Sequence, residues 1–600
     1  MKILILLFTV LTLAASSTRA EQLPRVGGQS VWSKPKSATE TNFRAVNYDD
    51  RDIASVRFKP IDQLKVTELR AHNAMVETKV MQIGVHRDAR VEAATLRDPV
   101  LTWKRSSDAG LVARIAVSSP GARGIRAGLN IRAVPVGAEM RFSRTSHEKS
   151  AEVMVNAEEI KRLSREQPVY WTPVTEGEQQ IIEIYLPPGV AGSAMRFSLD
   201  SVSHLIVSPA GRLNDAKLGE AQSCNRDVAC SAQDPGLNKA AQSVARMIFT
   251  GQCGAGGTAA TCLCTGTLLN DFDPATQIPY FFTANHCIST QSEASTLTTF
   301  WGYESSACGS RDLKSATQVT GGAAFLFNDP SNDAVLLKLN NPAPAGAYFS
   351  GWDPNDVNAN EVMTVIHHPG GDTKKVSVGK VLGITELSNV GGNFTTVAYT
   401  NGATQGGSSG SGLFTTSNGE YYFRGALYGG TAACSSSGNP ADNANRDYYS
   451  RLKQFYGAFR SYLGGNTATG AAQGAASNQD ATISHLDVTG AWQAPGETGW
   501  GLSIIRGASG ALGVVMFHYT PSRTPIWYLF LNGTFNGNIY SAQLHQFTGP
   551  GLNEGYDRTL VQSQPVGTVK INFTGTSSGV IFYDVPGVAK ASKNITKMNY

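Results

Sequence analysis

The sequence has no cysteine outside one central segment. All eight cysteines of the 600 residues lie between Cys224 and Cys434. An even number confined to one stretch suggests a local disulfide framework of the kind found in exported proteins. Zinc is the alternative, but the spacing of Cys262-Leu263-Cys264 and of His286-Cys287 matches no common zinc signature. We therefore expect disulfides, and neither a metal nor another cofactor.

Two further features are scarce, namely excess charge and long apolar runs. The net charge of +4 gives no basis for nucleic-acid binding. The apolar run Ile3 to Ala15 follows Met1-Lys2 and leads to small residues ending at Ala20, which is typical of a secretory signal peptide. It is too short for a retained anchor, and no later segment is apolar enough to span a bilayer. We expect a secreted, extracellular, monomeric protein without membrane attachment after signal removal.

A glycine-rich run from Gln405 to Gly412 surrounds Ser409. Glycine allows a turn tight enough to direct several backbone N–H groups at one point, as an attacking serine requires for its oxyanion. The alternative is a Gly/Ser-rich linker. Upstream residues favour the catalytic interpretation.

A histidine and an aspartate follow the pattern expected of partners for this serine. The apolar run from Ile278 to Phe282 predicts a strand that ends just before His286, and Asp333 opens an alternating strand. The order His286, Asp333, Ser409 is that of the chymotrypsin fold. Asp329 is the competing acid, but it precedes a proline in a turn.

Four segments together resemble chymotrypsin-fold (trypsin-like) serine endopeptidases, and are most similar to secreted bacterial lysyl endopeptidases. The resemblance covers roughly Cys224 to Gly464. It implies an all-β domain of two six-stranded antiparallel barrels with a closing helix at Leu452 to Leu463. The segments are Cys264-Thr265-Gly266-Thr267-Leu268, Thr283-Ala284-Asn285-His286-Cys287, Asn332-Asp333-Ala334-Val335-Leu336-Leu337 and Gly407-Ser408-Ser409-Gly410-Ser411.

The resemblance also implies roles for individual residues. His286, Asp333 and Ser409 would form the catalytic triad, and the N–H groups of Gly407 and Ser409 the oxyanion hole. The frame Asp447-x-Tyr-x-Arg aligns with the strand that carries the pocket acid, with Asp442 as the competitor. Thr404 would lie at the pocket base, and Tyr428, Gly429 and Gly430 would form the edge strand that pairs with the substrate.

The sequence departs from the family pattern in two places. Tyr428 replaces the histidine that lysyl endopeptidases carry before Gly-Gly, and the span from Cys434 to Asp447 is longer than theirs. The preference for lysine over arginine is therefore a weaker expectation than the acidic pocket. His367-His368-Pro369 also recurs in the family, and its spacing from the triad favours a structural role.

Cysteine pairing cannot be chosen from the sequence alone, because eight cysteines allow about a hundred arrangements. The family resemblance implies three pairs, which are Cys224 with Cys434, Cys230 with Cys308, and Cys264 with Cys287. Cys253 and Cys262, which are extra to the family pattern, would pair with each other as the fourth.

The remaining chain divides by composition. We expect a signal peptide at 1–20, an α+β or β-rich propeptide at 21–217, the protease at 218–463, a linker at 464–480 and a small all-β module at 481–600. The alternative for 21–217 is a permanent binding domain. Within it, Lys65 to Lys79 predicts an amphipathic helix. Self-cleavage after Lys217 would release the protease.

The C-terminal module contains Trp492, Trp500 and Trp527. These tryptophans form a surface or carbohydrate-binding platform in one interpretation and belong to a buried core in the other, which is the commoner state. The ligand is therefore an open hypothesis.

The predicted function is hydrolysis of protein and peptide substrates after basic residues, with lysine preferred. Two alternatives remain. One is an endopeptidase of other primary specificity, trypsin-like or glutamyl-type, the latter requiring a cationic or histidine-lined pocket. The other is an inactive protease-fold adhesin, against which the intact triad counts.

Overall fold

The computed structural model describes most of the chain. The predicted signal peptide at 1–20, Lys217 and the predicted linker at 464–480 lie outside the described residues. These are 22–32, 42–44, 48–93, 100–145, 153–166, 169–209, 221–310, 312–388, 390–463, 488–494, 500–506, 512–520, 523–536, 539–550, 557–573, 578–585 and 589–598.

The chain forms two units, Met1–Gly465 and Asn466–Tyr600. Strands dominate both, so the prediction of a mostly β protein is confirmed. Within the described ranges, no helix is long and apolar enough to cross a membrane.

The N-terminal region combines two sheets with three helices. One sheet has the order β2-β5-β11-β7-β8, and the other begins β10-β6-β12-β3 and continues through Ala260–Leu269 into the region predicted to be the protease. The strands are β1 Gln29–Ser30, β2 Ala54–Arg57, β3 Met81–Asp88, β4 Lys104–Arg105, β5 Leu111–Ser118, β6 Gly124–Ala133, β7 Glu139–Ser143, β8 Val153–Asn156, β9 Tyr170–Trp171, β10 Thr175–Glu176, β11 Gln179–Leu186 and β12 Arg196–Leu205. The helices are α1 Gln63–Met75, α2 Ala89–Glu92 and α3 Ala157–Glu166.

The helix predicted from Lys65 to Lys79 corresponds to α1, whose bounds differ. Asp62 caps its first turn by accepting a hydrogen bond from the Leu64 N–H at 2.9 Å. The helix ends at Met75, and the following residue, Val76, has an extended backbone. Lys79 therefore lies beyond the helix.

The region predicted to be the protease, 218–463, contains two groups of strands in its described part. They are β13 Arg226–Asp227, β14 Val244–Gly251, β15 Ala260–Leu269, β16 Tyr280–Thr283, β17 Thr298–Trp301, β18 Thr317–Val319, β19 Ala323–Asp329, β20 Ala334–Leu339, β21 Tyr348–Phe349, β22 Gly351–Trp352, β23 Val362–His367, β24 Lys375–Leu387, β25 Gly392–Asn401, β26 Gly412–Ser417, β27 Glu420–Gly430 and β28 Asp447–Tyr449. The helices are α4 Pro235–Gln242, α5 Gln291–Ser295 and α6 Leu452–Tyr462.

The second group closes into a barrel. Its order is β24-β23-β26-β27-β28-β25, and β25 returns to pair with β24. The first group runs β18-β17-β14-β15-β16-β20-β19 and is a half-barrel in the described part of the chain. At its open edge the Gln291 side chain binds β19, accepting from the Phe325 N–H at 2.9 Å and donating to the Ala323 carbonyl at 3.0 Å. A side-chain amide thus satisfies edge groups that a further strand would otherwise pair.

The predicted closing helix is α6, and it packs where the two strand groups meet. Phe282 from β16 stacks on Phe455 with ring centroids 5.9 Å apart and meets Phe459 edge-on at 5.8 Å. Phe423 from β27 contacts the same Phe282 ring at 5.2 Å. This aromatic cluster ties the strand that precedes His286 to the second barrel and the helix.

Four disulfides lie between Cys224 and Cys434, and they are the four predicted pairs. Cys264–Cys287 joins β15 to the segment just after His286, across a Cα–Cα distance of 6.5 Å. The other three are Cys224–Cys434, Cys230–Cys308 and Cys253–Cys262.

The C-terminal unit is a closed barrel formed by β29 to β36. Trp492 and Trp500 are buried in its core, whereas Trp527 is half-exposed and stacks on Phe547 with centroids 6.0 Å apart. A platform of all three tryptophans is therefore wrong, because two of them fill the interior. The strands are β29 Gly490–Gln493, β30 Gly501–Arg506, β31 Leu512–Tyr519, β32 Pro525–Asn536, β33 Ile539–Thr548, β34 Gln562–Phe573, β35 Ser578–Val585 and β36 Ala589–Lys597.

Candidate active site

The structure brings His286, Asp333 and Ser409 into one hydrogen-bonded chain. His286 Nε2 lies 2.7 Å from Ser409 Oγ, and Nδ1 lies 2.8 Å from Asp333 Oδ2. Asp333 Oδ1 accepts a further hydrogen bond from the His286 backbone N–H at 2.8 Å. The carboxylate thus fixes both the backbone and the ring of the histidine, and the second ring nitrogen faces the serine hydroxyl.

Strand pairing explains why the histidine and the aspartate meet. β16 and β20 are antiparallel neighbours, with Thr283 opposite Val335. His286 follows the end of β16, and Asp333 precedes the start of β20. Asp333 has a left-handed backbone, with φ of 49°, and is buried. Such a backbone conformation is uncommon for residues other than glycine. Here it occurs at the residue whose side chain contacts the imidazole of His286.

Asp329, the alternative candidate for the triad acid, forms other hydrogen bonds. Its carboxylate accepts hydrogen bonds from the Ser331 hydroxyl at 2.7 Å and from the Asn332 side-chain amide at 2.7 Å. It therefore caps the turn before Asp333 and does not contact His286 among the described hydrogen bonds.

The nucleophile loop presents two backbone N–H groups to one oxygen. That oxygen is the carbonyl of Lys79, which lies 2.7 Å from the Gly407 nitrogen and 3.5 Å from the Ser409 nitrogen. Gly407 has a φ of 91°, and a Cβ there would lie 2.7 Å from the His368 carbonyl oxygen. The loop therefore requires glycine at this position, and its amides form the arrangement expected of an oxyanion hole.

The buried side chain of His367 contacts the loop that carries Ser409. His367 Nδ1 lies 2.8 Å from Ser408 Oγ, and its Nε2 lies 3.0 Å from Ser377 Oγ. Burial lowers the pKa of His367 to about 3, so the ring is neutral near pH 7. Ser408 Oγ also accepts from the Gln405 N–H at 3.1 Å. The expected structural role of His367 is therefore to hold Ser408, the residue next to Ser409, in place.

The predicted pocket acid, Asp447, is fully buried at the start of β28 and binds a lysine of the same chain. Lys79 Nζ donates to Asp447 Oδ1 at 2.7 Å, to Thr404 Oγ1 at 2.5 Å and to the Ala432 carbonyl at 2.9 Å. Asp447 Oδ2 accepts from the Tyr399 hydroxyl at 2.9 Å and from Thr404 Oγ1. Every donor of the ammonium has a partner, and each carboxylate oxygen is hydrogen-bonded.

Burial opposes the charges of this pair. It raises the pKa of the Asp447 carboxyl above its ordinary 3.8, and it lowers the pKa of the Lys79 ammonium. The opposite charge and the hydrogen bonds act against both shifts. Burial also raises the pKa of Tyr399 well above its usual range, so its hydroxyl remains a donor to the carboxylate. The site is built to hold one cation against one anion.

The predicted edge strand contacts the same segment of chain. The Gly430 N–H donates to the Glu77 carbonyl at 3.1 Å. The Tyr428 ring meets the His286 ring edge-on, with centroids 6.0 Å apart. Gly429 and Gly430 pair with Tyr448 and Asp447 across β27 and β28. This pairing places the edge strand directly beside the pocket acid.

The competing pocket acid, Asp442, lies in the loop between Cys434 and β28. It accepts from the Ala444 N–H at 2.9 Å, and its carbonyl accepts from Arg446 at 2.7 Å. These bonds are local to the loop, and the structure places Asp447 rather than Asp442 against Lys79.

Lys79 is the residue at this site that sequence reasoning missed. The sequence pattern predicts a helix that extends to Lys79. It therefore gives no indication that Lys79 has a positive φ of 58° or that its ammonium is buried. The available signal was a lysine in the predicted propeptide of a chain expected to cleave after lysine. Tyr399, His367 and Ser408 were likewise not assigned to the site.

Comparison with known proteins gives two family models and a curated relative. Residues 57–206 match the lysyl endopeptidase N-terminal domain, and residues 218–450 match the lysyl endopeptidase C-terminal domain. A lysyl endopeptidase from Pseudomonas aeruginosa is 33% identical over 394 residues, which cover 64% of this chain and 81% of that protein.

Similar solved structures include the active form of the Rv3671c protease from M. tuberculosis. It is 15% identical with a TM-score of 0.27, and the match covers 43% of this chain and 95% of that one. An HtrA-type protease, AlgW, with a tripeptide is 13% identical with a TM-score of 0.28, over 60% of this chain and 95% of that one.

Gly410→Ala should disrupt the site. Gly410 has a φ of 77°, and a Cβ there would overlap the Thr283 hydroxyl and the Thr265 carbonyl, so the loop must shift. We expect kcat/KM for a peptide amide to fall by about 100-fold or more, because displacement of the reacting groups by about 1 Å has that effect. Gly256→Ala is the matched control, since Gly256 also has a positive φ, of 67°, but nothing within 4 Å. Equal activities of the two variants would contradict this description of the loop.

Proposed function

The chain belongs to the lysyl endopeptidase family and is a serine endopeptidase, and we propose that it cleaves protein substrates after basic residues with lysine preferred. The single observation that carries the specificity is the Lys79 side chain in the Asp447 pocket. The backbone carbonyl of Lys79 accepts from the Gly407 and Ser409 amides, while Lys79 Nζ donates to the Asp447 carboxylate. One residue thus connects the reaction centre to the pocket acid, as a substrate residue before the scissile bond must.

The shape of the pocket supports lysine over arginine. An ammonium has three donors arranged about a point, and here three acceptors surround it: Asp447 Oδ1, Thr404 Oγ1 and the Ala432 carbonyl. A guanidinium is planar and carries five donors, which this arrangement would not satisfy together. Arginine should therefore be accepted with a lower rate.

The glutamyl-type alternative has less support. A glutamate in this pocket would place its carboxylate against the buried Asp447, and like charges at short distance are strongly unfavourable where water is excluded. A cationic or histidine-lined pocket would be required, whereas His367 is neutral and points to Ser408 and Ser377.

In the proposed mechanism Ser409 Oγ attacks the carbonyl carbon after lysine, and His286 Nε2 takes its proton. The carbonyl electrons move onto oxygen, which accepts hydrogen bonds from the Gly407 and Ser409 N–H groups. Such a donor typically contributes about 3–4 kcal/mol to the transition state. The C–N bond then breaks as His286 returns the proton to the leaving amine, and Asp333 stabilises the imidazolium.

The acyl-enzyme is hydrolysed by the same groups in reverse. Water attacks the ester carbon, His286 accepts its proton, and Ser409 leaves with the proton that the imidazolium returns. The products are a peptide ending in lysine and the free enzyme.

The domain proposal follows the predicted boundaries. Residues 1–20 would be removed as a signal peptide, 21–217 would act as a propeptide, 218–463 would be the protease, and 481–600 would be a C-terminal accessory module. Four disulfides support export to an oxidising compartment. The module's surface or carbohydrate ligand stays a prediction.

Ser409→Ala should remove nearly all hydrolysis of a lysyl peptide amide, about 1,000-fold or more, because the Ser409 hydroxyl is the one placed 2.7 Å from His286 Nε2 among the described contacts. The melting temperature should change little. Ser411→Ala is the control in the same loop and should retain most activity. Ser409→Ala activity within tenfold of wild type would exclude Ser409 as the nucleophile.

Asp447→Asn should reduce kcat/KM for lysyl amides by about 100-fold or more, because an unpaired buried ammonium costs about 3–5 kcal/mol. The ratio of lysyl to norleucyl amide hydrolysis should fall with it. Asp442→Asn changes a carboxylate outside the pocket and should leave the ratio within about twofold. The opposite pattern would identify Asp442 as the pocket acid.

N-terminal sequencing of the secreted protein should give Leu218-Gly219-Glu220, since the enzyme would release itself after Lys217. Purified Ser409→Ala protein should stay joined until active enzyme is added. A start after Arg212 in the wild type would indicate an arginine preference, and cleavage of the inactive variant without added enzyme would indicate another protease.

A further inference from the structure

An eight-residue segment of the N-terminal region, Glu77 to Gly84, passes through the active site with backbone contacts on both sides of Lys79–Val80. On one side, in a turn, the Glu77 carbonyl accepts one hydrogen bond from Gly430. On the other side the segment enters β3, which pairs with β15 so that Met81 lies opposite Leu263. The β3 part is thus bound as an added β-strand, a recurring mode of peptide recognition.

We propose that the N-terminal region inhibits the protease by placing Lys79 in the lysine pocket, an inference that rests on the proposed function. We call the segment from Glu77 to Gly84 the inhibitory strand. Lys79 occupies the specificity pocket as the residue before a scissile bond would. Cleavage after Lys217, made by a copy whose site is free, separates the chain without activating it, and activity appears when the inhibitory strand is removed.

Two features distinguish the inhibitory strand from an ordinary substrate. Lys79 has a left-handed backbone, with φ of 58°, where a paired substrate strand is extended. Ser409 Oγ donates its hydrogen bond to the Thr78 carbonyl as well as lying 2.7 Å from His286 Nε2. The hydroxyl has one proton, so the Thr78 carbonyl competes with the general base for it. The segment therefore fills the site and engages the proton of the Ser409 hydroxyl, while Ser409 Oγ stays within hydrogen-bond distance of His286.

The contacts that hold the inhibitory strand do not depend on the chain connection at Lys217. Sheet pairing continues from β12 through β3 into β15. Polar contacts add to this, since Arg246 donates to the Pro209 carbonyl at 2.8 Å and Arg162 to the Gly321 carbonyl at 2.8 Å. A buried apolar cluster is also shared, with Leu69, Ile83 and Leu205 from the N-terminal region and Ile248, Leu263 and Phe300 from the protease. Cleavage after Lys217 breaks one peptide bond and none of these interactions.

The protease site is already formed while the inhibitory strand is bound. The Gly407 and Ser409 amides converge on one oxygen, and His367 holds Ser408 in place. Latency thus depends on occupancy rather than on a disordered site. Weakening the hold on the pocket should therefore be enough to release activity.

The test uses the secreted protein immediately after purification, while gel filtration still shows the N-terminal region bound. Lysyl peptide amide hydrolysis is followed with time, together with the amount of intact N-terminal region on gels. Wild type should show a lag, with the rate rising about 100-fold as the inhibitory strand disappears. Lys79→Ala should show no lag, because the pocket contact is lost. Lys65→Ala is the control, since Lys65 forms an exposed ion pair with Glu92, and it should behave as wild type.

Lys79→Met keeps the stem without the charge and provides an answer if Lys79→Ala is not secreted. Its lag should be at most one tenth of that of wild type. A wild-type lag in the Lys79 variants, with a normal final rate on lysyl amides, would overturn the inhibitor while leaving the proposed specificity intact. Failure of every protein to cleave lysyl amides at the end of the time course would instead contradict the specificity itself, and the inference with it.

Discussion

The ion pair between Lys79 and Asp447 is the interaction on which the rest of this site depends. Both groups are buried, and removing either partner would leave a charge without water or counter-ion. The protein stabilises the pair with hydrogen bonds from Thr404 and Tyr399 to the carboxylate and from the ammonium to Ala432. The proposed preference for lysine rests on this pair, because a ligand that lacks the cation would leave the buried carboxylate unpaired.

The pocket and the reaction centre are connected by the second barrel. β27 and β28 pair beside Asp447, and the Ser409 loop leads directly into β26, which pairs with β27. The loop that carries the Gly407 and Ser409 amides and the strand that carries Asp447 are therefore attached to the same sheet. A side chain of lysine length spans the distance between them, as Lys79 does. In the proposed function, specificity and catalysis share this sheet.

Much of this arrangement was predictable, and the reasons differ by residue. His286, Asp333 and Ser409 carry local signals, since each follows or opens a strand or lies among glycines. The disulfide pairs and the role of Asp447 followed from the family resemblance, not from spacing. Lys79 could not be predicted in the pocket, because its contact joins residues 368 apart in sequence through sheet pairing that no local pattern encodes. The hydrogen bonding at the open edge of the half-barrel was also not predictable, because it is made by a tertiary contact of Gln291 with β19.

The most direct test of the account is a series of short peptide amides that differ only in the residue before the scissile bond, measured on fully activated enzyme. We expect kcat/KM to be highest for lysine, lower for arginine, and lower by about 100-fold or more for norleucine and glutamate, because only a compact cation satisfies Asp447, Thr404 and Ala432. A series led by glutamate or by a neutral side chain would contradict it.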